Sequence, residues 1–181
     1  MMMNIKDCAF ILVDLQEKLL PHILEHEAVV NNCIWLNKLV QRLNVPMLVV
    51  EQYPKGLLRT HHEILSTLVQ SIVIEKVHFS AGRNVEFIDK LAALNKTSVV
   101  LCGIEAHVCV LQTALDLQKL DYKVFVVADA IGSRNADDKR YAIERMYQAG
   151  ISIVTKEMVL FEWLEHSGTD LFKHISKEFL K

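Results

Sequence analysis

Six short apolar runs punctuate the chain: "CAFILVD", "VPMLVVE", "SIVIEK", "TSVVLCG", "YKVFVVAD" and "GISIVT". They are rich in Val, Ile and Leu and lack polar alternation, which is the pattern of parallel strands covered on both faces. Between them, segments 27–43, 84–94, 106–119 and 135–149 read as helices, with a last one near 170–180. In "NVEFIDKLAALN", Val85, Ile88, Leu91 and Ala92 recur at three- and four-residue steps behind Asn84, an N-cap residue. The alternation predicts a three-layer α/β/α fold around a doubly wound, six-stranded parallel, Rossmann-like sheet with right-handed crossovers. No repeat, low-complexity tract or linker divides the chain, so residues 1–181 read as a single domain. The least regular stretch, "EQYPKGLLRTHHE" at 51–63, reads as a surface loop.

Composition narrows the partners. With 51% hydrophobic residues and 181 positions, the chain can bury a full core. Twenty Lys+Arg against 22 Asp+Glu leave a formal charge of −2, and no basic run marks a nucleic-acid or membrane surface. A small neutral molecule is the expected partner. The amino-terminal "MMMNIKDCAFILVDLQEKLL" lacks a basic leader with a cleavage site, and no run approaches the roughly 20 residues of a membrane span, so a cytoplasmic protein is expected. Cys8, Cys33, Cys102 and Cys109 show no CxxC spacing and read as reduced thiols. The six glycines form no GxG, which removes the dinucleotide fingerprint and the phosphate loop, and no GxSxG elbow is present. No cofactor is expected.

In open parallel sheets, ligands bind outside the carboxyl ends of the strands, so the residue that stops each apolar run is informative. Those stops are Asp14, Glu51, Lys76, the segment Gly103–Cys109 and Asp129. Asp14, at the end of "FILVD", is either a carboxylate tuned by apolar neighbours and an adjacent lysine, or the cap of a helix starting at about Gln16. Lys76 is either the buried partner of Asp14 or a side chain that snorkels from the rim. Cys109 would lie in the first turn of a helix starting near Ala106, where free N–H groups favour a thiolate. The alternative is simple packing, which suits Cys8, Cys33 and Cys102 better. His107, two residues from Cys109, points elsewhere on a helix, and His22 with His26 lacks a third zinc ligand.

Asp14 in "LVDLQ", Lys76 in "EKVHFSA" and Cys109 in "CGIEAHVCVLQTALDL" resemble the isochorismatase-like cysteine hydrolases. The loop "EQYPKGL" makes the branch of isochorismatase domain-containing proteins the nearest likeness, and the resemblance runs from about residue 6 to 160 through "VVADAIGSR" and "AIERMYQAGI". It implies an Asp14–Lys76–Cys109 triad. It also implies a cis peptide at Ile104–Glu105 that turns the N–H groups of Glu105 and Cys109 toward one point as an oxyanion hole. By analogy Asp14 is base and then acid, Lys76 stabilises charge, and Cys109 attacks a carbonyl or nitrile-like carbon to give a thioester. Nicotinamidase relatives carry a metal-binding Asp and several histidines after the second strand, whereas this chain has "EQYPKGLLRTHH"; no catalytic metal is expected. Glu105 stands where many relatives have Thr, and its carboxylate either faces the site or pairs with a lysine. Gln16, Tyr53 and Phe79 line the pocket by position, with core packing an equal reading for Phe79. Family members are commonly oligomeric, so a homodimer or larger assembly is expected.

The expected activity is therefore metal-free hydrolysis of a small amide or related C–N bond. Vinyl-ether hydrolysis with Asp14 as the acid is the enzymatic rival, although it needs no thiol. A binding or scaffold protein on the same fold, and a redox sensor pairing Cys102 with Cys109, are the other classes. Trp35, Trp163 and Tyr147 read as core residues before interface anchors.

Overall fold

The computed structural model describes residues 1–69 and 71–180. The first strand, β1 (Cys8–Val13), is buried along its whole length and lies at the centre of the sheet. Helix α1 (His26–Arg42) returns the chain to β2 (Met47–Gln52), and the short helices α2 (Pro54–Leu57) and α3 (His62–Leu65) precede β3 (Ile72–Lys76). The chain then recrosses through α4 (Val85–Ala93) to β4 (Ser98–Ile104) on the other side of β1. A π-helical turn over Ala106–Val110 runs into α5 (Leu111–Lys119), followed by β5 (Lys123–Gly132), α6 (Ala136–Gln148) and β6 (Ser152–Val154). Helices α7 (Lys156–Leu164) and α8 (Asp170–Phe179) complete the chain.

All pairings are parallel, in the order β3-β2-β1-β4-β5-β6. This is the six-stranded α/β/α arrangement expected from the apolar runs. Because successive residues of a strand face opposite sides, β1 feeds two cores: Phe10 and Leu12 pack with α1 and α7, while Ala9, Ile11 and Val13 pack with α4, α5 and α6. The winding direction reverses between β1 and β4, which opens the crevice where such sheets bind ligands. Gly103 makes that junction close: at φ +117°, a Cβ there would overlap the Val13 carbonyl oxygen.

Several boundaries differ from the sequence reading for physical reasons. The edge strand β3 buries Ile74 and Lys76 but leaves Val73, 42% exposed, and Glu75 on its other face, so its apolar run is covered on one side only. Strand β5 does not stop at Asp129. Its register with β4 jumps from Leu101↔Val126 to Gly103↔Ile131, a bulge that lets the strand run on to Gly132. Asp129 is thereby drawn to the helical layer, where its Oδ1 accepts from Lys156 N at 2.9 Å and its carbonyl from Asn32 Nδ2. Helix α7 was not apparent from "KEMVLFEWL" because Met158 and Phe161, both partly exposed, blur the stripe formed by Val159, Leu160, Trp163 and Leu164. Trp163 is core and Trp35 packs edge-on against Phe179, but Tyr147 is an exposed surface residue.

Candidate active site

Asp14 follows β1 in a left-handed conformation, φ +50°, which ends the strand without starting a helix. No helix begins at Gln16, so Asp14 is not a cap. Its backbone N–H donates to Val50 O at 3.0 Å, and its side chain is fully buried. Lys76 reaches it from the end of β3, two strands away: Nζ donates to Asp14 Oδ2 at 2.7 Å and to Gln52 Oε1 at 2.7 Å. Both side chains of the ion pair are 0% exposed, so Lys76 does not snorkel to the rim. A buried ammonium needs such partners, because an unpaired one is very costly.

Gln52 is itself fixed. Its N–H donates to Gln16 Oε1 at 2.7 Å, its Nε2 donates to Val77 O at 2.9 Å, and its carbonyl accepts from Gln16 Nε2 at 3.0 Å. Gln16 Nε2 also donates to Leu58 O at 2.6 Å. Gln16, placed in the pocket lining by its sequence position, is fully buried and clamps the segment after β1 to the end of β2 and the loop beyond it. Glu51, the stop assigned from sequence, faces the other side of the sheet, where it accepts from Arg59 Nη1 and from Thr60 N and Oγ1. Ending the strand one residue later changes which side chain faces the crevice.

Cys109 comes from the π-helical turn after β4 and is 6% exposed, within electrostatic reach of both charges. Burial first, and then the negative charge of Asp14, push its pKa well above the ordinary thiol value, and Lys76 only partly opposes them. Burial and Asp14 thus oppose the thiolate that the free N–H groups of a helix start favour. Asp14 is also raised above the usual carboxylate range, by burial against the opposing Lys76 charge. Its Oδ1 is buried and accepts no hydrogen bond from the described residues at conventional geometry.

The Ile104–Glu105 peptide is cis. Glu105 N–H finds no acceptor among the described residues, while its carbonyl accepts from Val108 N and Val110 N, each at 3.1 Å. The Glu105 carboxylate takes a two-pronged ion pair with Arg134, Nε to Oε2 at 2.8 Å and Nη2 to Oε1 at 3.1 Å, so its partner is an arginine, not a lysine. Arg134 and Gln52 were both missed from sequence. The available signal was a polar residue at the true end of β2 and one shortly after β5, hidden by placing the ends at Glu51 and Asp129.

Tyr53 and Lys76 share a cleft of about 330 Å³ with Pro54, Lys55, Val77 and Asn84. Tyr53 and Phe79 are 53% and 55% exposed, so Phe79 is not a core residue. His107 turns its Nδ1 to Ser133 Oγ at 3.0 Å. Cys102 packs on the α1 side of the sheet and Cys109 on the α5 side, which separates the two thiols of the redox reading. His22 ends a 3₁₀ turn and His26 begins α1, so they do not share one helix face. Among the described residues, one group of potential metal ligands stands close together, Glu17, His61 and His62, and it includes none of Asp14, Lys76 and Cys109.

The Isochorismatase domain family model matches residues 8–158. The chain is 34% identical over 175 residues to the zebrafish (Danio rerio) isochorismatase domain-containing protein 2, covering 97% of this chain and 88% of that one. The solved MAR1 ribonuclease of Caenorhabditis elegans superposes with a TM-score of 0.93 at 34% identity, covering 100% of this chain and 93% of the other. The Escherichia coli YcaC gene product, described as an octameric hydrolase of unknown specificity, superposes with a TM-score of 0.89 at 26% identity, covering 99% and 93%.

Proposed function

The chain belongs to the isochorismatase family, a group generally of hydrolases, and on that footing we propose that it is a cysteine hydrolase that cleaves a small amide or related C–N bond without a catalytic metal. The observation that carries the reading is the solvent-free Lys76–Asp14 ion pair beside the Cys109 thiol. Neither charge is needed to fill space, and a like-sized apolar pair is often as stable as a buried ion pair, so chemistry accounts for its presence better than stability does.

The steps follow from the resting protonation. As Cys109 Sγ attacks the carbonyl carbon, its proton passes to Asp14, whose Oδ1 takes no other side-chain donor among the described residues. Lys76 holds Asp14 ionised until then and stabilises charge developing on sulfur. The N–H groups of Glu105 and Cys109 receive the oxyanion. Asp14 returns the proton to the departing nitrogen as the C–N bond breaks, leaving a thioester. A water then gives its proton to Asp14 and its oxygen to the acyl carbon, and the sulfur leaves to recover the Asp14 proton.

Tyr53 provides aromatic surface for a small substrate in the cleft beside Lys76, and exposed Phe79 adds a second ring nearby in sequence. A homo-oligomer is part of the proposal: exposed Val77, Phe79 and Val85 give this region an apolar rim, and the related YcaC protein is an octamer. The ribonuclease name of the nematode relative brings in RNA as a second substrate class. A formal charge of −2 argues against a phosphate-tracking surface, so the amide reading stands first. A substrate screen of amides, nitriles and RNA with the wild type beside Cys109→Ala tests both. Amide turnover lost in the variant supports the proposal, and turnover that survives it reassigns the nucleophile.

A further inference from the structure

On the loop side of β1, Glu17, His61 and His62 bring a carboxylate and two imidazoles together, with their ligand atoms within 4.8 Å of one another. Glu17 Oε1 lies 3.1 Å from His62 Nδ1, and Glu17 Oε2 lies 3.7 Å from His61 Nε2. The second separation is too long for a hydrogen bond. It lies just beyond the spacing of two ligands of one ion, since donors bound at about 2.0–2.2 Å in a tetrahedron stand about 3.3–3.6 Å apart, so a small side-chain movement would close it. His61 Nδ1 is buried with no hydrogen-bond partner among the described residues, so no protein acceptor sets the orientation of this ring. The two rings lie against each other, with centroids 4.3 Å apart.

The cluster does not depend on loose surface side chains finding one another. Residues 15–17 and 58–62 are laced together by His61 N to Leu15 O at 2.8 Å, Glu17 N to Arg59 O at 3.2 Å and an antiparallel bridge between Gln16 and Thr60. Buried Glu51 fixes Thr60 from below, accepting from its N and Oγ1 at 2.7 Å each. Glu17 Oε1 also accepts from His62 N at 3.0 Å, which seats the carboxylate before any ion arrives. A held donor set loses little freedom on binding. Its outer side is open, since His62 is 74% and Glu17 37% exposed.

We propose that Glu17, His61 and His62 form a site for a first-row divalent transition metal such as zinc, separate from the hydrolytic centre. Two imidazoles and a carboxylate are a zinc-like donor set and a poor one for calcium or magnesium, which take oxygen ligands. Three protein ligands leave positions for water. The ion clips the segment after β1 to the loop after β2, and because it binds the folded chain it raises the melting temperature. None of its ligands hydrogen-bonds Asp14, Lys76 or Cys109, so this site and the proposed hydrolysis stand or fall separately.

The test uses untagged full-length protein, stripped with chelator and titrated with Co(II). The expected result is one ion per chain, a visible band of nitrogen and oxygen coordination, and a raised melting temperature. Affinity falls at least about tenfold in His62→Gln and in Glu17→Gln and is unchanged in His22→Gln. The high exposure of His62 keeps its replacement from disturbing the fold. Equal affinity in His62→Gln and wild type overturns the proposal, as does a thiolate charge-transfer band or no binding at about 1 mM Co(II).

Discussion

Gln52 Oε1 accepts from Lys76 Nζ at 2.7 Å, the same distance at which that ammonium meets Asp14 Oδ2. The lysine is therefore held between a neutral and a charged acceptor, and the neutral one is clamped through its backbone by Gln16. Gln52 acts as a positioning residue: it fixes the direction from which positive charge faces Asp14 and Cys109. Replacing it by Ala removes a hydrogen bond to a buried charge, worth about 1.5–3 kcal/mol. Urea unfolding should register that loss, with kcat falling more than KM rises. A Gln52→Ala protein with wild-type stability and kcat would remove the positioning role.

The ion pair predicts a rescue. Asp14→Asn leaves Lys76 buried without its counter-charge, which should cost about 3–5 kcal/mol. Adding Lys76→Met to Asp14→Asn should recover much of that stability while restoring no activity. A double variant less stable than Asp14→Asn would show that the lysine is needed for packing more than for charge.

Asp14 raises the pKa of the Cys109 thiol and Lys76 lowers it. Asp14→Asn removes the first influence and keeps the second, so more thiolate forms at a given pH. The variant should be inactive as a hydrolase yet alkylate faster at Cys109 with iodoacetamide between about pH 7 and 9, followed by peptide mass spectrometry. Slower alkylation would mean that the service of Asp14 as base outweighs its electrostatic opposition to the thiolate.

Burial raises the thiols of Cys8, Cys102 and Cys109, the first from 9.0 to about 11. A folded-state value above the unfolded one means that the native chain holds a proton the unfolded chain gives up. The stability from that difference is complete below pH 9.0 and is lost as pH rises toward 11 for Cys8. Urea midpoints should therefore fall across this window, and Cys8→Ala should flatten the decline. An unchanged slope would assign the alkaline loss to other groups.

How much of this was legible in the chain depended on whether the signal was local. Asp14, Lys76 and Cys109 each follow a hydrophobic run closely, so their shared end of the sheet followed from the run boundaries and the rule for open parallel sheets. Gln52 was hidden because a strand end is uncertain by a residue and one residue exchanges the faces. Arg134 was hidden because the β5 bulge carries the strand past Asp129. The burial that raises the Cys109 thiol was also hidden: the helix start is written in the sequence, but the surrounding packing comes from β1, α4 and α5, which the fold alone assembles. The Glu17–His61–His62 cluster joins segments more than forty positions apart through backbone pairing, a contact no short motif announces.

The buried, unpaired Oδ1 of Asp14 has a consequence for engineering. A buried carboxylate oxygen with only the Cys109 thiol to approach it is incompletely satisfied, and a neighbour given a hydroxyl or amide to pair with it would make the protein tougher to melt. The same change would occupy the landing place for the thiol's proton. Thermal hardening by substitution around this carboxylate should therefore select slower catalysts, whereas hardening at the far edge strand, β6, should leave turnover alone.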